Sequence, residues 1–292
     1  MCDDHSIDDM LDHMRRNTDV SRRRFGALSL GTGLAFALPR IANALTVTES
    51  EVSIKTPDGT ADAYFVHPSS GAHAGVLVWT DIMGLRPAFR QMGKRLAESG
   101  YSVLVPNPFY RIKKAPIVPP GSSFENEATR KELMAAGSSL TPDTHVTDAK
   151  AFIPWLDSQK SVDKKRKIGT TGYCMGGPLV MRTAATFPDR VGAGGTFHGG
   201  GLATDKPDSP HLLIPKMKAQ FLIAIAENDD MREPQAKTML RKAFDDAKLK
   251  AEIEVYTGTM HGWCPPDSNV YNETQAEHAW ARLQALFKSA LA

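Results

Sequence analysis

One cysteine in this chain stands in a setting that suggests nucleophilic chemistry. Gly172-Tyr173-Cys174-Met175-Gly176-Gly177 follows Lys167-Ile168-Gly169-Thr170-Thr171 and precedes a helix-forming segment. Glycines two positions before and after a nucleophile relieve crowding where a strand bends sharply into a helix, and the bend lifts the side chain above the sheet. The helix N-terminus beneath it favours negative charge and lowers a thiol pKa. Cys174 is therefore placed to react as a thiolate. The competing reading is packing, since cysteine is among the most often buried residues.

A thiolate of this kind works with a base, and the base with an orienting carboxylate. Glu227-Asn228-Asp229-Asp230 follows the apolar run Gln220–Ala226, and Thr257-Gly258-Thr259-Met260-His261-Gly262 follows Ala251–Tyr256. Nucleophile, acid and histidine thus occur in the chain order that a strand-to-helix nucleophile elbow with later acid and base turns requires. Asp229 is the first choice of acid, with Asp230 in reserve, and His261 is the base. Fifty-five residues separate Cys174 from Asp229 and 32 separate Asp229 from His261. Each gap leaves room for the elements between the turns. His198, between two glycine clusters at a strand end, could face a pocket, but a structural role is the favoured reading.

These residues need a frame, and the periodicity supplies one. Val52–Thr56 and Ala61–His67 flank Pro57-Asp58-Gly59 and read as an opening antiparallel hairpin. Gly75–Trp79, Tyr101–Pro106, Lys167–Tyr173, Val191–Phe197, Gln220–Ala226 and Ala251–Tyr256 are mostly continuous apolar runs, as buried parallel strands are. Between them lie helical patterns at Pro87–Ser99, Thr144–Leu156, Gly177–Phe187, Pro234–Ala247 and Thr274–Leu291. The expected fold is α/β, a mainly parallel sheet of about eight strands flanked by helices, with right-handed crossovers. Residues Tyr110 to Thr141, rich in Pro, Gly and Ser, interrupt the alternation and include a short helical candidate, Glu125–Ala136. Such an excursion often roofs a site.

Composition narrows the function further. The 292 residues carry 35 Lys and Arg against 33 Asp and Glu, a net charge of +2, which gives no electrostatic reason to bind nucleic acid. Three cysteines, Cys2, Cys174 and Cys264, are too few for a disulfide scaffold. No glycine cluster forms a dinucleotide-binding fingerprint. At the N-terminus, Ser21-Arg22-Arg23-Arg24-Phe25 leads into the moderately apolar Gly26–Leu38, and Ala42-Asn43-Ala44 follows. This reads as a twin-arginine (Tat) signal over residues 1–44, handing the chain to the Tat export machinery and the periplasm. One domain, residues 45–292, would remain.

Over nearly all of that domain the sequence resembles the dienelactone hydrolase family of the α/β-hydrolase fold. The glycine-flanked Cys174 and the Cys–Asp–His order carry the resemblance, together with Trp79-Thr80-Asp81-Ile82-Met83-Gly84-Leu85 after the third strand. The resemblance implies a cysteine-dependent hydrolase of small-molecule esters or lactones, acting through a thioacyl intermediate without metal or organic cofactor. It implies that the backbone N–H groups of Ile82 and Met175 form the oxyanion hole. Asp81 stands where the family commonly has Glu, a residue held to pair with the resting thiol and govern when the thiolate forms. The family's carboxylate-gripping arginine after the histidine is absent, since Gly262-Trp263-Cys264-Pro265-Pro266 follows His261. Arg86, Arg111, Lys113, Lys114 or Arg130 could supply a cation instead. Trp79, Tyr110, Arg111 and Trp263 are the candidates for a substrate pocket. Two other readings stand beside the hydrolase: an exported ligand-binding or inactive homologue, and a thiol redox protein using Cys174 and Cys264.

Overall fold

The computed structural model describes residues 38, 39, 41 and 43–292. The expected export signal lies, but for its last few residues, outside them. Eight strands form one sheet in the order β1-β2-β4-β3-β5-β6-β7-β8. They are β1 Val47–Thr56, β2 Gly59–Pro68, β3 Ala74–Trp79, β4 Tyr101–Pro106, β5 Ile168–Tyr173, β6 Val191–Phe197, β7 Gln220–Ala226 and β8 Ala251–Tyr256. The pairs β1/β2 and β2/β4 are antiparallel, and every other neighbouring pair is parallel. The opening hairpin turns through Pro57-Asp58, with Thr56 opposite Gly59. Its first strand starts five residues earlier than the apolar pattern suggests. Val47–Glu51 is largely exposed, so it carries little hydrophobic signal.

Two helical layers cover the sheet. On one face lie α1 Pro87–Glu98 and α7 Glu273–Ala290, which bury Phe89, Leu96, Leu283 and Phe287 against Val76, Val78 and Val103. On the other lie α3 Pro142–Ser158, α4 Gly176–Thr186 and α6 Ala236–Asp246, with Phe152, Leu156, Val180, Leu240 and Phe244 packed onto Leu77, Ile168 and Phe221. The central strands β3, β4 and β5 are buried at every residue. That is why their sequences read as unbroken runs rather than alternations.

Caps decide where the helices begin. The Thr141 side chain accepts from the Thr144 amide while Thr144 Oγ1 accepts from the Thr141 amide, and Pro142 fills the first turn, so α3 starts ahead of the expected Thr144. Asn126 caps α2, Glu127–Gly137, by accepting from Thr129 N, two residues past the expected start. One short helix, α5 Glu227–Arg232, follows β7 where the sequence reads as a loop. Its six residues are too few to display a period.

Candidate active site

The bend between β5 and α4 is tight, and its glycines show why. A Cβ on Gly172 would lie 2.3 Å from the Gly176 carbonyl oxygen, and one on Gly176 would lie 2.7 Å from the Trp79 oxygen. Cys174 itself takes φ of 53°, a left-handed conformation that costs a non-glycine residue about 1 kcal/mol or more. Its amide donates to the Phe197 carbonyl at 3.0 Å, and its carbonyl accepts from Gly177 N at 3.0 Å. The elbow is thereby locked to the end of β6 and to the first turn of α4. Met175 is the N-cap of α4, where backbone N–H groups lack intrahelical partners. Gly176 packs directly on Trp79 and Thr80, so the loop carrying Ile82 touches the elbow carrying Met175.

The acid and histidine turns are stitched to each other. His261 Nδ1 donates to Asp229 Oδ2 at 2.8 Å, and the His261 amide donates to Asn228 Oδ1 at 2.8 Å. Gly258 N donates to Glu227 Oε2, while Thr259 Oγ1 donates to the Tyr256 carbonyl. Arg232 Nη2 donates to the other Asp229 oxygen at 2.7 Å. Burial alone would raise the Asp229 pKa, but the His261 charge and hydrogen bond, joined by Arg232, lower it overall. Asp229 thus stays a carboxylate that fixes His261 with Nδ1 protonated. Asp230 points elsewhere, to Lys237 Nζ at 2.6 Å. Asn228, Arg232 and Thr259 escape sequence reasoning. The only hint of them is the polar run just after an apolar strand.

His198 connects the two halves. It follows Phe197, which holds the Cys174 amide, and its ring lies 5.1 Å from that of His261 with the planes at 69°. Its φ is 40° and its amide donates to the Ala224 carbonyl at 2.8 Å. Burial first, and the neighbouring His261 second, push its pKa well down, so its imidazole is neutral. Among the described residues, neither ring nitrogen has a hydrogen-bond partner.

The cysteines differ in state. Cys174 is disulfide-bonded, whereas Cys264 is a free, buried thiol whose pKa burial pushes well up. The two sulfurs are therefore not bonded to each other.

The profile of the dienelactone hydrolase family matches residues 61–291. The chain belongs to that family. A carboxymethylenebutenolidase from Rhodococcus opacus is 25% identical over 251 residues, covering 82% of this chain and 92% of its own. A dienelactone hydrolase-like promiscuous phosphotriesterase from metagenomic libraries superimposes with a TM-score of 0.69 at 19% identity, covering 84% of this chain and 99% of that one. The dienelactone hydrolase of Anabaena variabilis gives 0.57 at 18% identity, with the same coverage. This dienelactone hydrolase family member is accordingly a hydrolase with the α/β-hydrolase fold.

Within the family frame, Asp81 has a partner of its own. Arg86 Nη1 and Nη2 donate to Asp81 Oδ1 and Oδ2 at 2.6 and 2.9 Å, and Met83 N donates to Oδ1 at 2.9 Å. Any bond from the Cys174 thiol to this carboxylate would compete with Arg86. Two of the other candidate cations are also engaged. Arg111 donates to Asp58 and to buried Asp148, and Lys113 sits 3.6 Å from Glu132. Lys114 is exposed and Arg130 half-buried on α2.

The residues expected to line a pocket are closely packed in this dienelactone hydrolase family member. Trp79 is 1% exposed, among the core of the α4 face, and its Nε1 donates to Thr183 Oγ1. Trp263 is fully buried and stacked on Tyr256. The Tyr110 hydroxyl contacts Thr56 and donates to Asp148, under the Arg111 guanidinium. Such side chains in apolar surroundings look alike in sequence whether they face a cavity or the core. The segment expected to act as a roof does sit over the elbow. Cys174 and Met175 share an apolar cluster with Phe109, Ile117, Val118, Leu133 and Ala136, against which Ile82 packs.

Proposed function

We propose that this protein is a cysteine-dependent hydrolase of small-molecule carboxylic esters or lactones, with Cys174, His261 and Asp229 as its triad. The observation that carries the reading is the buried Asp229–His261 hydrogen bond of 2.8 Å, on turns joined through His198 and Phe197 to the elbow cysteine. The name of the Rhodococcus relative, a carboxymethylenebutenolidase, supports lactone and ester chemistry.

The reaction begins from the Cys174 thiol. His261 Nε2 takes the thiol proton, and the imidazolium is held by Asp229. The thiolate adds to the ester carbonyl, and the N–H groups of Ile82 and Met175 receive the oxyanion, each contributing roughly 3–4 kcal/mol in a water-excluded site. His261 then gives its proton to the leaving oxygen, and the C–O bond breaks to leave a thioacyl enzyme. Water, deprotonated by His261, adds to the thioester carbonyl. Collapse expels the Cys174 sulfur, which regains its proton, and frees the acid. In a lactone the leaving oxygen stays attached to the acyl chain. Asp81 belongs to the same proposal as a modulator of the thiol, with Arg86 as its competitor. Export through the Tat system rests on the arginine pair at Arg22-Arg23 and the Ala42-Asn43-Ala44 cleavage pattern.

Hydrolysis of 4-nitrophenyl acetate by the reduced protein tests the reading. Cys174→Ala and His261→Ala should each lower kcat/KM by at least about 10³-fold with the fold intact by circular dichroism. Unchanged rates in either variant reject it.

A further inference from the structure

We propose that the acyl portion of the substrate is uncharged and apolar, gripped by the segment that roofs Cys174. The inference rests on the hydrolase reading and adds the substrate class. Cys174 and Met175 share a buried apolar cluster with Phe109, Ile117, Val118, Leu133 and Ala136. The α2 helix meets the oxyanion loop closely: a Cβ on Gly137 would lie 2.8 Å from Ile82 Cδ1. An acyl chain attached at Cys174 and directed under α2 therefore meets hydrocarbon.

The charge arrangement points the same way. A substrate carboxylate needs a cation to replace its lost hydration. Arg86 is bound to Asp81 and Asp267, with its Nε 2.6 Å from Asp267 Oδ2. Arg111 is bound to Asp58 and Asp148. Each of these arginines already faces two carboxylates, so a third would meet net negative charge. Burying hydrocarbon, by contrast, adds up to about threefold to fourfold in binding per methylene.

The test uses the reduced full-length protein and two esters of one length, 4-nitrophenyl hexanoate and the 4-nitrophenyl monoester of adipic acid, with the acetate as reference. Hexanoate should exceed acetate in kcat/KM by at least tenfold and exceed the adipate monoester by at least a hundredfold. Met134→Lys, at the half-buried edge of the roof, should narrow the hexanoate-to-adipate ratio by tenfold or more within one protein. An adipate monoester turned over as well as hexanoate overturns the proposal.

A second readout does not depend on turnover. Octan-2-one should raise the Tm of Cys174→Ala protein, and its anionic counterpart 7-oxooctanoate should not. Equal shifts, or a larger one with the anion, overturn the proposal. If no ester is cleaved at all, the hydrolase reading fails by itself, while the ketone pair still decides the character of the pocket.

Discussion

Arg86 reaches Asp267 with its Nε 2.6 Å from Oδ2 while its two terminal nitrogens grip Asp81. The loop that carries Ile82 and the loop that carries His261 are thus tied by one guanidinium. Burial alone would lower its pKa, but the two carboxylates more than reverse this, so it is always charged. Arg86→Met should destabilise the protein by about 3–5 kcal/mol, because two carboxylates lose their shared partner. Urea unfolding at pH 7.5 measures it, and a loss below about 1 kcal/mol would show that the bridge is dispensable.

The two neighbouring aspartates should separate cleanly. Asp229 holds His261 and Asp230 holds Lys237. Asp229→Asn should reduce kcat on 4-nitrophenyl esters by roughly 10³- to 10⁴-fold, since the ring then loses its tautomer control. Asp230→Asn should change kcat less than about threefold. Reversal of that order would assign the acid to Asp230.

Stability should fall on mild acidification. Burial first, and the Arg182 charge second, push the pKa of His145 down to about 3. In the unfolded chain the ring protonates near pH 6.5. Between those values the unfolded state binds the extra proton, so the contribution is whole above pH 6.5 and disappears as pH drops toward 3. Each such histidine costs about 1.4 kcal/mol per pH unit across that window. His198 acts in the same direction. Tm measured from pH 7.5 to 5 should decline, and His145→Gln should flatten the decline.

Thiol chemistry offers a further check. Cys264 is buried with a raised pKa, and Cys174 is held in a disulfide. Iodoacetamide should modify neither in the native oxidised protein. After gentle reduction it should label Cys174 at the elbow while Cys264 resists until the chain is unfolded. Peptide mass spectrometry would follow the labelling, and esterase activity should vanish in step with modification of Cys174.

Much of the frame was legible because buried parallel strands announce themselves as apolar runs. Tyr101–Pro106, Val191–Phe197, Gln220–Ala226 and Ala251–Tyr256 are strands with the ends read from sequence. Less legible was whatever depends on a single side chain's direction. Trp79 and Trp263 lie beside the chemistry in sequence but point into packed layers. The α5 helix and the Asn228, Arg232 and Thr259 bonds leave no periodic trace, because short polar turns are organised by side-chain-to-backbone hydrogen bonds rather than by hydrophobic repeat. Nor could spacing anticipate that Arg86 would neutralise Asp81.

Of the residues of α2, only Leu133 and Ala136 are fully buried. Exchanges at its partly buried edge, where Met134 lies, should therefore redirect which acids the protein releases at a smaller cost in stability than exchanges of Leu133 or Ala136. Diversification among descendants of this chain has a natural place to begin there, beside the elbow but outside the strands that carry it.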